Sequence, residues 1–353
     1  MSLATSPAPR RIAVFRALAL GDLLVAVPAL RALRRRYPRS HLTLIGLPWA
    51  RELAARFPWI DQFMAFPGHP GLPELQPGND ELPSFFSRAR AACFDLALQL
   101  HGSGELTNSL VFALGARVTA GFYRRGQHCP DPALFLEWPE TGHETVRLLA
   151  LLEHLGVPRA GLHLEWPVAQ DDEARLDACW EGARRAERLV CVHPGARLAS
   201  RRWPVERFAA VADALAERGW QVVITGSAAE RGLAQALKAS CRAPLADLTG
   251  RTDLGTLAAL VSRARLVIAN DTGISHVAAA LRTPSVIVSC GADPLRFAPL
   301  DRRRHAVLSH DVPCRPCQHD LCPVGHECAS GVPVEAVVHA ALRLLETEHA
   351  HVS

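Results

Sequence analysis

A single carboxylate interrupts the apolar run "RALALGDLL" (residues 16–24), in which Gly21 and Asp22 stand among alanines and leucines. An aspartate where a helix begins has two common uses. It caps the helix by accepting backbone N–H bonds, or it serves as a general base that removes the proton of a hydroxyl. The helix dipole favours an ionised carboxylate in both roles. The residues alone leave the two interpretations of Asp22 equally open.

A second stretch, "LVCVHPGARLASRRWPVERF" (residues 189–208), predicts an anion site. A strand pattern is followed by a loop that contains Gly195 and Arg197, then by the pair Arg201 and Arg202, and then by a helix that begins near Pro204. Guanidinium groups beside the free N–H groups of a helix N-terminus suit phosphate oxygens. A solvated basic loop is the alternative, and the pattern favours phosphate binding.

The stretch "LVIANDTGISHVAAALRTPSVIVS" (residues 266–289) repeats the arrangement of strand, tight turn and helix. Backbone N–H groups around Thr272 and Gly273, next to Asp271, are suited to cradle a phosphate. His276 follows one turn into the helix, although a helical histidine taken alone is more often structural. Two phosphate-suited loops in one half of the chain predict a diphosphate, most commonly that of a nucleotide.

Two further loops complete this predicted nucleotide site. "ITGSAAERGLA" (residues 224–234) places Gly226 in a turn and Glu230 near a helix start, where an acidic residue often holds ribose hydroxyls. A surface glutamate favoured by the helix dipole is an equal alternative. In "DLTGRTDLGTLAALVSRA" (residues 247–264), small and apolar residues that include Thr249 and Gly250 are suited to wall a base pocket.

Four cysteines fall within residues 314–328, "CRPCQHDLCPVGHEC", and we call this range the cysteine-rich segment. Cys314 and Cys317 have a spacing found in zinc sites, whereas Cys322 and Cys328 do not, and no iron–sulfur spacing fits. A structural metal and reduced thiols in a loop both remain open, with thiols favoured and no catalytic role expected. The basic run of residues 31–39 is predicted to be a solvated helix end or, alternatively, a surface that attracts anionic lipids.

Short apolar runs alternate with helical patterns along the chain, which predicts parallel sheets covered by helices on both faces. The polar stretch of residues 165–176 separates two such series, so we expect domains at residues 1–168 and 169–353. The series predicts a helix over residues 23–36, a surface loop over 66–84 and a final helix over 334–345 that crosses back over the first domain. The expected strands are Ile12–Phe15, Leu42–Gly46, Gln62–Phe66, Leu96–Leu100, Val118–Gly121, Arg188–Val192, Gln221–Thr225, Leu266–Ala269 and Ser285–Ser289.

Composition excludes several classes of protein. The 353 residues are 49% hydrophobic and 21% charged, which is globular rather than disordered. A formal charge of +4 does not favour a nucleic-acid partner. Arg16 and Asp22 interrupt the only signal-like run, and lone Gly21 does not make a dinucleotide fingerprint. We therefore expect a cytoplasmic enzyme whose ten cysteines are thiols or metal ligands.

The four segments beginning at residues 16, 193, 225 and 270 together resemble family 9 glycosyltransferases, the bacterial heptosyltransferases of lipopolysaccharide core synthesis. Members similar to the second heptosyltransferase of that pathway also carry a segment rich in cysteine and proline. The resemblance implies two tandem Rossmann-like, doubly wound α/β domains of the GT-B type with a cleft between them. It places the acceptor on the first domain and an ADP-sugar on the second.

The resemblance also implies an activity: transfer of heptose with inversion, without a catalytic metal, to a phosphorylated glycolipid at the inner face of the cytoplasmic membrane. Contact with the membrane surface would then be peripheral. A transferase for another nucleotide sugar and a nucleotide-sugar epimerase on the same architecture are the alternatives. Asp22 matches the proposed catalytic base, and Arg201 falls where many members carry lysine. Since Lys238 is the only lysine of the chain, we attribute that departure to composition.

The donor-binding residues implied in this way lie in the second half of the chain, and we expect Asp271 to contact the sugar. They are His193, Gly195, Arg201, Arg202, Gly226, Glu230, Thr249, Gly250, Asp271, Thr272, Gly273 and His276.

Overall fold

The structure is a computed structural model that describes residues 8–78, 80–184 and 187–349. The chain divides into two compact units, Met1–Leu162 and His163–Ser353. The division falls just before the boundary that the sequence predicts at residues 168 and 169. Each unit contains one six-stranded sheet.

In the first unit all neighbouring strands are parallel, in the order β3-β2-β1-β4-β5-β6. The strands are β1 (Arg11–Phe15), β2 (His41–Gly46), β3 (Gln62–Ala65), β4 (Leu96–Gln99), β5 (Val118–Tyr123) and β6 (Phe135–Glu137). The helices are α1 (Leu20–Leu24), α2 (Val27–Arg36), α3 (Arg51–Ala55), α4 (Glu81–Ala91), α5 (Thr107–Phe112) and α6 (Glu144–His154).

The second unit has a parallel sheet in the order β12-β11-β10-β7-β8-β9, which read from the other edge is the same winding as in the first unit. Its strands are β7 (Leu189–His193), β8 (Gln221–Ile224), β9 (Ala246–Asp247), β10 (Leu266–Asn270), β11 (Ser285–Val288) and β12 (His305–Leu308). The helices are α7 (Gln170–Cys179), α8 (Val205–Ala216), α9 (Arg231–Ser240), α10 (Leu254–Arg263), α11 (Gly273–Leu281), α12 (Pro294–Phe297), α13 (Glu327–Ser330) and α14 (Val334–His349).

Most residues of the inner strands are apolar and buried because helices cover both faces of each sheet. In β1, Ile12 and Val14 alternate with Ala13 and Phe15, and all four are at most 1% exposed. The odd-numbered pair faces a core that contains Phe66 and Phe85. The two faces of one short strand therefore contribute to two cores, which fixes its register and the position of the loop that follows it.

All nine strands expected from the sequence are present within a residue or two of their predicted bounds. The three strands that the sequence prediction missed, β6, β9 and β12, all lie at sheet edges. They have the sequences FLE, AD and HAVL, and most of their residues are only partly buried. Edge strands bury less apolar surface, so their sequences carry a weak signal.

The predicted bounds of two helices and one loop need correction. The helix expected over residues 23–36 is two helices, because a turn at Val25 and Ala26 separates α1 from α2. The loop expected over residues 66–84 ends earlier, where α4 begins at Glu81. The last helix extends to His349, and its apolar residues Val337, Ala341 and Leu345 belong to the core of the second unit itself.

Within the described ranges, no helix combines the length and apolar character needed to cross a membrane. All ten cysteines are free.

Candidate functional site

The strand order creates one switch point in each sheet, where the winding direction reverses and where ligands of such folds usually bind. In the first unit it lies between β1 and β4, so the loop before Asp22 and the loop that begins at His101 emerge side by side. In the second unit it lies between β7 and β10, beside the loops of Gly195 and Asp271.

Asp22 lies in the first turn of α1, whose N-cap is Ala19. The interpretation of Asp22 as the N-cap residue is therefore wrong, because the helix begins at Leu20, three residues earlier than that role requires. The carboxylate Oδ1 lies 3.6 Å from Nη2 of Arg16, and the Asp22 side chain keeps 27% of its surface exposed. A partly exposed carboxylate beside a buried cation has the access that a general base needs.

Arg16 fixes this loop, and the sequence prediction considered it only as an interruption of a signal-like run. Its side chain is fully buried, and its Nε donates to the carbonyl oxygen of Asp22 at 3.0 Å. Nη1 donates to the carbonyl oxygen of Leu100, and both terminal nitrogens lie 3.4 Å from Oε1 of Glu144. A buried charge needs such partners, so an arginine at the end of an apolar strand was the available signal.

Glu144 is itself held between two cations, since its Oε2 lies 3.4 Å from Nη1 of Arg147. On the other side of Arg16, burial and the Arg16 charge lower the pKa of His101 to about 3. The neutral ring of His101 accepts the Ala17 N–H at its Nδ1 over 3.3 Å and stacks on Phe15. The loop that leads to Asp22 is therefore held in place by a buried polar network.

In the second unit, Asn270 ties its own turn to the predicted anion loop of residues 189–208. Its buried Oδ1 accepts the Trp203 N–H at 2.8 Å, and its Nδ2 donates to the carbonyl oxygens of Pro194 at 2.8 Å and Gly195 at 3.3 Å. The last residue of β10 thus holds the loop after β7 and the chain that enters α8. Asn270 was part of the predicted turn, but this positioning role was not predicted.

Glu230 is packed against the loop that contains Gly195. A Cβ at Gly195 would lie 1.8 Å from Oε1 of Glu230, and one at Gly226 would lie 3.3 Å from Oε2. Oε2 also accepts hydrogen bonds from N and Oγ of Ser227, at 2.7 and 2.8 Å. Glu230 is therefore part of a capping box, and its other oxygen faces the neighbouring loop. A side chain at position 195 would therefore displace the Glu230 carboxylate from its present position.

Thr249 and Gly250 lie against the loop that contains Gly226 and Ala228. The Thr249 Cγ2 would be 3.1 Å from a Cβ at Gly226, and its Oγ1 is buried without a partner among the described residues. Gly250 has φ +68° and would place a Cβ 2.9 Å from Ala228 Cα, so only glycine fits there. These residues converge, as predicted, on one loop cluster.

His193 ends β7 beside this cluster. Its Nδ1 lies 3.1 Å from Oγ1 of Thr225. Burial lowers the pKa of His193, while the nearby Glu230 charge raises it. The lowered pKa favours a neutral ring, which suits a hydrogen-bonding role rather than a charged one.

The three arginines of the predicted anion loop have different environments. Arg201 ends a short 3-10 turn, donates from Nη2 to the carbonyl oxygen of Cys317 at 2.9 Å, and has a buried Nε without a partner among the described residues. Arg202 donates from Nε to the carbonyl oxygen of Ala196 at 2.9 Å. Arg197 is exposed. Arg201 and Arg202 therefore stay near the loop, as the prediction required.

Asp271 follows β10 directly and is 9% exposed. Its Oδ2 accepts a hydrogen bond from Ser289 Oγ at 3.2 Å. Burial raises the pKa of the Asp271 carboxyl; the Ser289 hydrogen bond and the charges of Arg201, Arg315 and Arg302 oppose the rise. The buried Asp271 carboxyl thus lies beside a hydroxyl donor and within the electrostatic influence of three arginines.

The remaining turn residues lie where the sequence placed them. Thr272 is the N-cap of α11, and Gly273 is its first residue. His276 is buried in the first turn of that helix. Backbone N–H groups at this N-terminus point towards the carboxyl edge of the sheet, as an anion site requires.

The four cysteines of the cysteine-rich segment differ in their exposure to solvent. Cys317 and Cys328 are buried, whereas Cys314 is exposed. Across residues 8–78, 80–184 and 187–349, no three His, Cys, Asp or Glu side chains are grouped so as to hold a metal ion. The Cys317 Sγ instead lies 3.7 Å from Ser200 Oγ.

The basic run of residues 31–39 is only partly a surface. Arg31 is buried and donates to the carbonyl oxygen of Ala160, and Arg34 donates to the carbonyl oxygen of Trp59 and pairs with Asp61. Arg35, Arg36 and Arg39 remain exposed. The anionic-surface interpretation therefore rests on three arginines rather than on the whole run.

Known proteins are similar to this chain across both of its units. Residues 84–327 match the model of glycosyltransferase family 9 (heptosyltransferase). Lipopolysaccharide heptosyltransferase 2 of Salmonella typhimurium is 28% identical over 302 residues, which cover 82% of this chain and 85% of that protein. Lipopolysaccharide heptosyltransferase 3 of Escherichia coli is 26% identical over 338 residues, covering 92% of this chain and 95% of that protein.

The fold agrees with a solved structure of the same family. The family 9 glycosyl transferase from Veillonella parvula superposes with a TM-score of 0.81 at 24% identity, covering 96% of this chain and 98% of that one. The doubly wound two-unit fold is therefore that of GT-B glycosyltransferases. Because the family model spans more than half of the sequence, the chain belongs to glycosyltransferase family 9, the heptosyltransferases, and is a glycosyltransferase.

Proposed function

We propose that this chain transfers heptose from ADP-heptose to a phosphorylated glycolipid acceptor of the lipopolysaccharide inner core, with inversion and without a catalytic metal. The observation that supports it best is the loop cluster of the second unit. There Glu230, Gly195, Gly226 and Thr249 pack together at the carboxyl end of the sheet, and Arg202 donates to the carbonyl oxygen of Ala196 in the same loop as Gly195. In this arrangement the Glu230 carboxylate can accept hydrogen bonds from ribose hydroxyls, and the arginines can bind a diphosphate.

In the proposed reaction Asp22 accepts the proton of the acceptor hydroxyl. The resulting oxygen attacks the anomeric carbon from the face opposite the diphosphate, the new C–O bond forms as the bond to the leaving phosphate breaks, and ADP departs. Attack from the opposite face inverts the anomeric centre. Such displacements develop positive charge on the sugar and negative charge on the leaving group.

The chain's own residues divide this work. Arg16 orients the Asp22 loop through its bond to the Asp22 carbonyl oxygen and its ion pair with the carboxylate. Arg201, Arg202 and the N-terminus of α11 stabilise the departing diphosphate, and Glu230 holds the ribose. Because the base and the charge stabilisation come from side chains and backbone, the reaction as written uses no metal ion.

The test is a mass-spectrometric transfer assay with ADP-heptose and a panel of truncated lipopolysaccharide acceptors, in buffer with and without a chelator. We expect one acceptor to gain one heptose, with the chelator having no effect. Transfer only from a different nucleotide sugar would overturn the donor assignment. Conversion of the donor in the absence of any acceptor would indicate an epimerase instead.

We further propose that the enzyme works at the inner face of the cytoplasmic membrane, where the exposed Arg35, Arg36 and Arg39 contact anionic headgroups. Flotation with liposomes that contain anionic lipid is expected to show binding at low salt and release at high salt. A variant with these three arginines changed to glutamine should not float. Equal flotation of wild type and variant would contradict this contact.

A further inference from the structure

The cysteine-rich segment packs against the turn that carries Arg201. The N–H of Ser200 donates to the carbonyl oxygen of Asp320 at 2.8 Å, and its Oγ donates to the carbonyl oxygen of His319 at 2.5 Å. The carbonyl oxygen of Ser200 lies 2.7 Å from Nε2 of His326. All three polar groups of one serine are thus engaged by the segment, which fixes the turn.

Gly291 allows this contact to be close. A Cβ at Gly291 would lie 2.7 Å from Cβ of Cys317 and 3.6 Å from Cγ of Arg201. The Cys317 N–H donates to the Gly291 carbonyl oxygen at 2.7 Å, while the Cys317 carbonyl oxygen accepts from Arg201. The segment, the loop after β11 and the Arg201 side chain therefore meet at one point at the carboxyl edge of the sheet.

Arg315 belongs to the same segment and reaches towards Asp271. Its Nη1 donates to the carbonyl oxygens of Ser289 at 3.1 Å and Ala292 at 2.6 Å, and lies 3.5 Å from Ser289 Oγ. Ser289 Oγ in turn donates to Asp271. A second arginine is thus connected through one hydroxyl to the aspartate of the predicted diphosphate turn.

Arg201 and Arg315 share an unusual feature: the Nε of each is buried and has no partner among the described residues. Buried guanidinium N–H groups normally find acceptors, so two orphan donors in one neighbourhood call for an explanation. Both guanidinium groups also act on Asp271 electrostatically. A ligand with several anionic oxygens would satisfy them together, whereas a single carboxylate would not.

We propose that Arg315, carried by the cysteine-rich segment, is a second binding residue for the donor diphosphate, and that the segment positions Arg201 for the same ligand. The inference rests on the proposed ADP-sugar donor. It gives the cysteine-rich segment a role in donor binding that requires neither a metal nor reactive thiols. It also explains how an arginine can stand at position 201, since the carbonyl oxygen of Cys317 holds its terminal nitrogen.

Calorimetric titration of the full chain with ADP and with adenosine tests this. For Arg315→Gln we expect the affinity for ADP to fall by about tenfold or more, the usual loss for a charged hydrogen bond, with adenosine affinity unchanged. Arg315→Lys should retain part of the ADP affinity because the charge remains. Arg302→Gln is the matched control, because Arg302 is exposed although its charge also acts on Asp271.

The possible outcomes distinguish a ligand-binding role of Arg315 from a structural role, and both from an error in the proposed donor. Equal losses of ADP and adenosine affinity in Arg315→Gln would show a structural role only and overturn the proposal, as would unchanged ADP affinity. A wild-type chain that binds neither ligand would contradict the proposed donor instead. If Arg201→Gln weakens ADP binding while Arg315→Gln does not, the donor assignment stands and the role of Arg315 is refuted.

Discussion

Two aspartates follow inner strands of the two sheets, and their surroundings differ in the property that decides their chemistry. Asp22 is half-buried, and the buried Arg16 lies beside its carboxylate. Asp271 is 9% exposed, its pKa is raised by burial, and three arginines act on it. The same residue type at equivalent edges is therefore open to solvent in one unit and buried among cations in the other.

The largest expected effect separates these two roles. Asp22→Asn should lower kcat by about 10²- to 10⁴-fold, the usual contribution of a general base, and leave ADP affinity unchanged. Asp271→Asn should act mainly on donor binding. Transfer assays and ADP titrations of both variants measure this difference. Near wild-type turnover in Asp22→Asn would remove the base assignment, and an intact circular dichroism spectrum is the control for folding.

The two arginine environments should differ in their effect on stability. Arg16→Met leaves the buried Glu144 with Arg147 as its remaining cation, so we expect the free energy of unfolding to fall by about 3 kcal/mol. Adding Glu144→Gln should recover part of the loss. Arg302 is exposed, although its charge acts on Asp271. Arg302→Gln should therefore change the free energy of unfolding by less than about 0.5 kcal/mol. Denaturant titration tests all three, and an Arg16→Met variant as stable as wild type would contradict the buried network.

Acid sensitivity offers a parallel test in each unit. Burial lowers the pKa of His101 from 6.5 to about 3 and that of His305 from 6.5 to about 4. The unfolded chain binds these protons at higher pH than the folded chain. Stability should therefore fall as the pH is lowered from about 6.5, by up to about 1.4 kcal/mol per pH unit for each group.

His101→Gln and His305→Gln should each reduce this slope, one variant for each unit. Denaturant titrations between pH 7 and pH 4 provide the measurement. A slope that neither substitution alters would show that other groups control acid unfolding.

The smallest expected effect concerns two carboxylates that cap helices, Glu230 and Asp253, of which only Glu230 is proposed to bind the donor. Glu230 and Asp253 both accept backbone N–H groups at helix starts, at 2.7 Å from Ser227 and 2.6 Å from Thr256. Alanine at either position should cost about 1 kcal/mol of stability. Only Glu230→Ala should also weaken ADP binding. Equal ADP affinities in the two variants would leave Glu230 with its capping role alone.

The winding of both sheets was predictable because inner strands are short, apolar and regularly spaced. The edge strands β6, β9 and β12 were not, since their residues are only partly buried. Among the predicted site residues, Gly195, Glu230, Thr249 and Gly250 lie in loops that the structure brings together. Arg315 was missed because its partners, Ser289 and Ala292, are distant in sequence.

The sequence by itself determined the fold class, the two-unit division and the loops in which ligands should bind, because these depend on local patterns of burial and turn residues. Only the tertiary structure decided that Asp22 is not an N-cap, that Arg16 is buried behind it, and that the cysteine-rich segment packs against the Arg201 turn. Those features depend on contacts between residues far apart in the chain, and no local pattern encodes the partner of a buried charge.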